Sequence, residues 1–362
     1  MKVLYLTTVP TPYKVAFFEE LGKLCDLTVL FENKQVSYRE KSWMVYDFHN
    51  FTAIFLRGLN IKDKKISLEA IRIIKNGSYD HIIIGCYSTI TQMIAQKYMI
   101  DHNIHFIHSS DGGMIKEDSA IQRKIKRYFI GHASAWLGTG KTTSEYFEYY
   151  GAKKDMIFGY PFTSISINDI LREPDSIDFK KLLRSRLKMS EDKIVISVGQ
   201  FIHRKGFDVL IKAAAKLSSI GVYIIGGSPS EEYYHLKDRL DASNVHFVEF
   251  KDKKGLSEYY RAADVFVLPT REDIWGLVIN EAMAYGLPVI TTNKCVAGME
   301  MVEEGINGTI IMPDNVEELV KAMIHWTMND KEAGSMASLE KARQYTIEKM
   351  AVRHYEILMN NI

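Results

Sequence analysis

A chain of 362 residues, 46% hydrophobic and 25% charged, has room for two domains at roughly 100 to 200 residues each, and each half can bury a full core. Its 46 Lys and Arg stand against 45 Asp and Glu, and the formal charge of +1 gives no long-range field to gather nucleic acid, so any basic function is local. The opening MKVLYLTT is too short for a signal-peptide core, and no stretch approaches the ~18 uninterrupted apolar residues of a membrane span; the expectation is a cytoplasmic protein.

Short runs rich in β-branched and aromatic residues recur along the chain at 2–8, 26–32, 52–56, 81–86, 105–111 and 134–140, most of them separated by helical patterns of ten or more residues. This is the βαβ rhythm of a parallel sheet. A polar, less regular stretch covers about 164–192, with Pro174 inside it, and the rhythm restarts at 193–199, 222–227, 244–250, 264–270, 288–292 and 308–313. The predicted architecture is α/β: two Rossmann-like, doubly wound domains at 1–165 and 190–340 whose facing sheets make a cleft, and a final helical segment at 341–362 that returns to the first domain. In such sheets ligands sit beyond the carboxyl ends of the strands. Cys25, Cys86 and Cys295 are an odd number, far apart and without CxxC spacing, so neither a disulfide framework nor a zinc site is expected.

The densest motif is TREDIWGLVINEAMAYGLPVITT, from Thr270 to Thr292. A buried strand ends at Thr270, Arg271, Glu272 and Asp273 follow, and Ile274 and Trp275 lead to Gly276, where a helix begins at Leu277. Unsatisfied amides and the dipole at a helix N-terminus favour phosphate, and glycine lets it approach. Asp273 and Glu281 lie eight positions apart, one on the loop and one about a turn into the helix. A carboxylate on the helix can hold ribose hydroxyls through its two acceptor oxygens, and one on the loop can hold hydroxyls of a second sugar.

This phrase resembles the retaining glycosyltransferases of family 4, of GT-B fold, whose signature has the form ExFGxxxxEAMAxGxPV. Asp273 stands at the first acidic position, one methylene shorter than the family's Glu, with Glu272 beside it as an alternative sugar contact; Glu281 stands at the second. A second segment, SVGQFIHRKGFDVLIKAAAKL, ends a strand at Gly199 and opens a helix at Phe207 after a basic loop. It is similar to the family's GRLxxxKGxxxLIxA, with Lys205 and Gly206 on the family's Lys and Gly. Gln200 stands where the family often has Arg, a charge that Arg204 can replace. Paired cations there can neutralise a diphosphate leaving group.

Gly226, in VYIIGG, and Phe250, after NVHFVE, are placed at the edge of the nucleotide; Gly226 reads equally as a turn former. In the first domain many family members have a Gly-rich loop after the first strand, where this chain has Pro10, Pro12 and Tyr13: a shaped acceptor wall or a simple turn. HSSDGGMIKED, from His108 to Asp118, ends another strand with a carboxylate and two glycines. Within it His108, Asp111 and Gly112 are assigned to the acceptor side, with Asp111 reaching the transferred sugar or acceptor, or else capping a turn.

Two other features compete. AWLGTGKTT resembles a phosphate-binding P-loop but has Ala135 where the first Gly belongs. Arg123, Lys124, Lys126 and Arg127 cluster beside Tyr128, Phe129 and Ile130, as a solvated helix face or a weak anionic-lipid contact worth roughly 1 kcal/mol per basic residue. The resemblance implies transfer of a hexosyl unit from a nucleotide-sugar to a glycan or lipid-linked acceptor, with retention, without a metal or other cofactor, in bacterial cell-surface polysaccharide synthesis at the inner face of the membrane. No Asp-x-Asp pair exists to clamp a metal-bridged diphosphate. The rival readings are a nucleotide-sugar 2-epimerase of the same fold and a non-catalytic subunit that binds nucleotide-sugar or glycan.

Overall fold

The computed structural model describes residues 1–35, 46–62, 64–328, 332–360 and 362. The chain divides into unit 1, Met1–Ser164 with Tyr345–Ile362, and unit 2, Ile165–Gln344.

Unit 1 runs β1 (Lys2–Thr7), α1 (Pro12–Gly22), β2 (Asp26–Phe31), β3 (Thr52–Phe55), β4 (Leu59–Ile61), β5 (Lys64–Ile66), α2 (Glu69–Asn76), β6 (His81–Ile84), α3 (Ile90–Asp101), β7 (Ile107–Ser109), α4 (Ala120–Gly131), β8 (Ala135–Gly138), α5 (Lys141–Tyr149) and β9 (Ile157–Gly159). Its main sheet has the order β3-β2-β1-β6-β7-β8-β9, parallel throughout. Helices on both faces explain why β1 and β6 are continuous apolar runs rather than alternating ones. Leu4, Leu6, Ile82, Ile84, Trp136 and Phe147 form one core, and the Trp136 indole satisfies its N–H on the Ile130 carbonyl, 2.8 Å away.

Unit 2 runs α6 (Ile177–Arg186), β10 (Lys193–Val198), α7 (Phe207–Ala214), β11 (Ile220–Ile225), α8 (Glu231–Arg239), β12 (Val245–Val248), α9 (Lys253–Ala262), β13 (Val265–Leu268), α10 (Leu277–Ala284), β14 (Val289–Thr292), α11 (Val296–Met301), β15 (Gly308–Ile311), α12 (Val316–Met328) and α13 (Glu332–Gln344). Its sheet is parallel in the order β12-β11-β10-β13-β14-β15. Strand order reverses between β10 and β13, which pair at Val195 with Val265 and Ile196 with Phe266. The loops that leave these two strands therefore flank the topological switch point, the place where doubly wound sheets hold ligands.

The segment between the two predicted domains is more than a linker, and the last helix returns to unit 1. The polar stretch 164–192 contains α6, whose Lys180 and Arg184 donate to the carbonyls of Ala263 and Ala262 at 2.8 Å each, so it caps the end of α9 and is part of unit 2. The last helix, α14 (Ile347–Asn360), packs on α1 in unit 1. Ile347, Met350, Ile357 and Leu358 are buried there, and the His354 ring lies 4.7 Å from that of Phe17. The β4–β5 hairpin and β9 leave little trace in the sequence: each strand is three residues long and none is a buried apolar run.

Candidate functional site

The site in unit 2 is built from two loops, 199–206 after β10 and 269–276 after β13. Gly206 is their contact point. It lies in the left-handed region at φ +71°, and a Cβ on it would stand 2.0 Å from the Pro269 carbonyl oxygen, so only glycine lets the loops meet. The Arg204 carbonyl then accepts from the Thr270 hydroxyl and the Arg271 amide, both at 2.8 Å. Arg271 completes the tie: its guanidinium forks onto Asp208 at the start of α7 with two contacts of 2.8 Å, and it also reaches Asp314 and the His203 carbonyl. Burial opposes the Asp208 charge, yet Arg271 holds that carboxyl below the usual carboxylate range.

This frame fixes the charges. Lys205 Nζ lies 2.5 Å from Asp273 Oδ2, each side chain 12% exposed. Arg204 Nη1 lies 3.4 Å from Asp273 Oδ1 and donates to the Glu272 carbonyl at 2.8 Å. The Asp273 backbone is itself pinned, its amide donating to Lys294 O at 2.8 Å and its carbonyl accepting from Val296 N at 3.2 Å. Gly276, at φ +102°, precedes α10, whose first turn carries no acid and no capping side chain. A Cβ there would meet Cys295 Sγ at 2.7 Å and the Asp273 carboxyl carbon at 3.8 Å, so the amide end of α10 opens beside Asp273. Two cations, one carboxylate and an uncapped helix start thus share one corner, a combination suited to a phosphate group. Burial, with Asp273 nearby, pushes the Cys295 thiol up to about 12, so it is a packing group here.

Glu281 lies on the second turn of α10 and accepts from Tyr260 Oη of α9 at 3.0 Å. Tyr260 is buried and stacks on Tyr285 at 5.3 Å; burial and the Glu281 carboxylate raise its phenol well above the ordinary range. Gly226 touches the first loop, since a Cβ on it would stand 1.8 Å from Gly199 O. Phe250 and Ile274 are half exposed. Trp275 is a correction to the expectation of donor contact. Its side chain is buried and its indole N–H donates to Asn280 Oδ1 at 2.8 Å, so the ring anchors the loop into α10.

In unit 1, Pro12 opens α1 as a first-turn proline, and Tyr13 and Asp111 meet at the limit of a hydrogen bond, Oη to Oδ2 3.5 Å. Lys14, absent from the sequence assignment, lies 3.5 Å from Asp111 Oδ2 and donates to Thr7 Oγ1 at 3.1 Å. Burial opposes the Lys14 charge, but Asp111 and the Tyr13 and Tyr5 phenols outweigh it and hold the ammonium above the ordinary lysine range. The Gly112 carbonyl accepts from Ser110 Oγ at 2.6 Å. His108 is the second correction: within β7 it is 1% exposed and packed between the rings of Tyr87 and Phe147, so its ring faces the core and not an acceptor.

Asp208, Tyr260 and Lys14 carry the geometry and escaped the sequence reading, and Arg271, named there only as a polar loop residue, carries it with them. Arg271 and Asp208 lie 63 residues apart and only the sheet order unites them. Lys141 of the P-loop-like phrase is a solvated side chain near Glu145, 4.0 Å away. On α4, Arg123, Lys124 and Arg127 are exposed, but Lys126 turns inward to Asp118 at 2.8 Å, and Phe129 and Ile130 are buried.

Residues 178–345 match the family described as Glycosyl transferases group 1. An uncharacterised glycosyltransferase of Haemophilus influenzae is 31% identical over 183 residues, 47% of this chain and 50% of that protein; the chain thus spans about half the length of the curated relatives it matches. HepE of Anabaena, solved in complex with UDP-glucose, superposes with a TM-score of 0.72 at 16% identity over 99% of each chain. WaaG, a glycosyltransferase involved in lipopolysaccharide biosynthesis, superposes with a TM-score of 0.68 at 16% identity over 99% of this chain and 100% of its own. These likenesses give both units the GT-B fold. The matched stretch covers both loops of the site and begins inside α6, the helix that the sequence alone places between domains.

Proposed function

We propose that the protein is a retaining glycosyltransferase of the family 4 kind that takes a hexosyl unit from a nucleoside diphosphate sugar bound in unit 2 and passes it to a glycan or lipid-linked acceptor bound by unit 1. The observation that carries this reading is the convergence of Arg204, Lys205, Asp273 and the uncapped start of α10 at the β10/β13 switch point of the stretch that matches the group 1 family. The two cations and the α10 amides stabilise charge on the departing diphosphate, in place of a metal. Glu281, oriented by Tyr260, holds the ribose hydroxyls; Asp273, with Glu272 at its side, holds those of the hexose. Asp111, flanked by Lys14 and Tyr13, receives the acceptor. The complex of HepE with UDP-glucose supports a uridine donor, and the part of WaaG in lipopolysaccharide biosynthesis supports a place in cell-surface polysaccharide synthesis.

A weak membrane contact completes the reading. No helix among the described residues is long and apolar enough to cross a bilayer. On α4, exposed Ile121 and Ile125 stand among exposed Arg123, Lys124 and Arg127, the mixture that rests on anionic lipid.

The test is a screen of UDP- and GDP-sugars for thermal stabilisation, where a ligand at 100 times its Kd adds about 2.7 kcal/mol, followed by transfer to acceptor pools with product analysis. Transfer with retention is expected. A changed free nucleotide-sugar without acceptor would show an epimerase; binding without turnover would show a carrier subunit.

A further inference from the structure

The two cations assigned to the diphosphate are already engaged. Among the described residues the Lys205 ammonium has Asp273 as its side-chain partner, and the Arg204 guanidinium is shared between Asp273 Oδ1 and the Glu272 carbonyl. Asp273 is 8% exposed and its backbone is bonded to Lys294 after β14 and to Val296 at the start of α11, so it is held in place when another anion arrives. A diphosphate must displace it from the cations, and it must then find new donors where it stands.

We propose that Asp273 is a resident counter-ion that makes the site select a nucleoside diphosphate carrying a sugar over the bare nucleoside diphosphate. This rests on the donor site proposed above. The bare diphosphate takes Lys205 and Arg204 and strands a buried carboxylate, which is costly. The sugar-bearing form takes the same cations and brings hydroxyl donors to the freed carboxylate oxygens, so the displaced charge is satisfied again. Once the sugar has been transferred, those hydroxyls leave, Asp273 competes for Lys205 and Arg204, and the product is expelled. The shorter Asp in place of Glu suits this role, because it holds the carboxylate at 2.5 Å from Lys205 in the ligand-free site.

The experiment is calorimetric titration of the full chain and of Asp273→Asn with UDP, GDP, UDP-glucose, UDP-galactose and GDP-mannose. Wild type should bind its best nucleotide-sugar about tenfold or more tightly than the matching bare diphosphate; in Asp273→Asn the bare diphosphate should gain about tenfold and the preference should vanish. Equal or weaker binding of bare diphosphate by Asp273→Asn overturns the proposal while leaving the donor site intact. If wild type binds none of the probes, the donor reading itself fails. Circular dichroism checks folding, and Asp273→Ser repeats the comparison if the Asn variant is unfolded. Failure of both to fold makes the pair structural and also overturns the proposal.

Discussion

Tyr260 Oη donates to Glu281 Oε2 across 3.0 Å, joining the last full turn of α9 to the second turn of α10. The phenol is buried and its ring is clamped by Tyr285, so the bond aims the carboxylate rather than merely decorating it. Tyr260→Phe keeps the ring packing and removes the donor. Its expected effects are about 1 kcal/mol less stability in denaturant melts and a higher KM for the nucleotide-sugar with kcat nearly kept. An unchanged KM would separate Tyr260 from donor binding.

Glu281→Ala and Lys205→Ala are expected to cut turnover by about a hundredfold to a thousandfold, the scale of losing one preorganised charge contact to a transition state, while the fold persists. The variants differ in what else they change. Lys205→Ala strips Asp273 of its partner at 2.5 Å and so costs stability as well, whereas Glu281→Ala leaves the two-loop frame untouched. Steady-state transfer assays with melting curves check both; near-wild-type turnover in either removes that residue from the site.

Gly206→Ala tests the frame itself. The left-handed backbone alone costs an alanine about 1–2 kcal/mol, and its Cβ would sit 2.0 Å from Pro269 O, so the two loops must part. The expected result is a lowered melting temperature and donor affinity lost together, although no charge has been altered. Retained affinity in a folded variant would show that the loops tolerate separation.

Much of this was legible in the sequence. Twelve of the strands follow from short β-branched runs because parallel strands buried on both faces leave unbroken apolar stretches such as VFVL of β13. The phrase from Thr270 to Thr292 gave the loop, glycine and helix in register, because each is a local demand on the chain. What stayed hidden depends on contacts between distant elements. Asp208 reads as a first-turn helix acid until β10 and β13 become neighbours and Arg271 reaches it. Lys14 reads as a solvated lysine on α1 until β7 brings Asp111 beside it. His108 misleads because a strand near the sheet's carboxyl end can turn a ring either to the core or to a ligand, and only the packing of Tyr87 and Phe147 around it decides for the core.

If α4 rests on the membrane, its exposed cations set the strength of the contact. Lys124→Glu with Arg127→Glu should abolish sedimentation with vesicles containing phosphatidylglycerol, and raising salt should do the same to wild type, since each basic residue supplies about 1 kcal/mol that screening removes. Lys126→Gln should not act this way, because Lys126 is already paired with Asp118; it should instead cost stability. Vesicle binding that survives both charge reversal and salt would place the contact elsewhere.

Acid should weaken unit 1 through two buried histidines. Burial lowers His108 to about 4; burial, against a contact to Met350 O, lowers His354 to about 4. In the unfolded chain both titrate near 6.5. Between pH 6.5 and about 4 the unfolded state therefore binds more protons than the native one, and stability must fall as pH falls through that window. Above pH 6.5 both states hold neutral imidazoles and the effect is gone. Near the middle of the window, around pH 5, each ring contributes a slope approaching about 1.4 kcal/mol per pH unit, which falls off again as the native rings protonate near pH 4. Denaturant melts at pH 7, 6 and 5 should show wild type losing stability steadily, and His108→Gln with His354→Gln, less stable at pH 7, losing much less over the same range. Parallel profiles for wild type and the double variant would mean that other groups govern the acid limb.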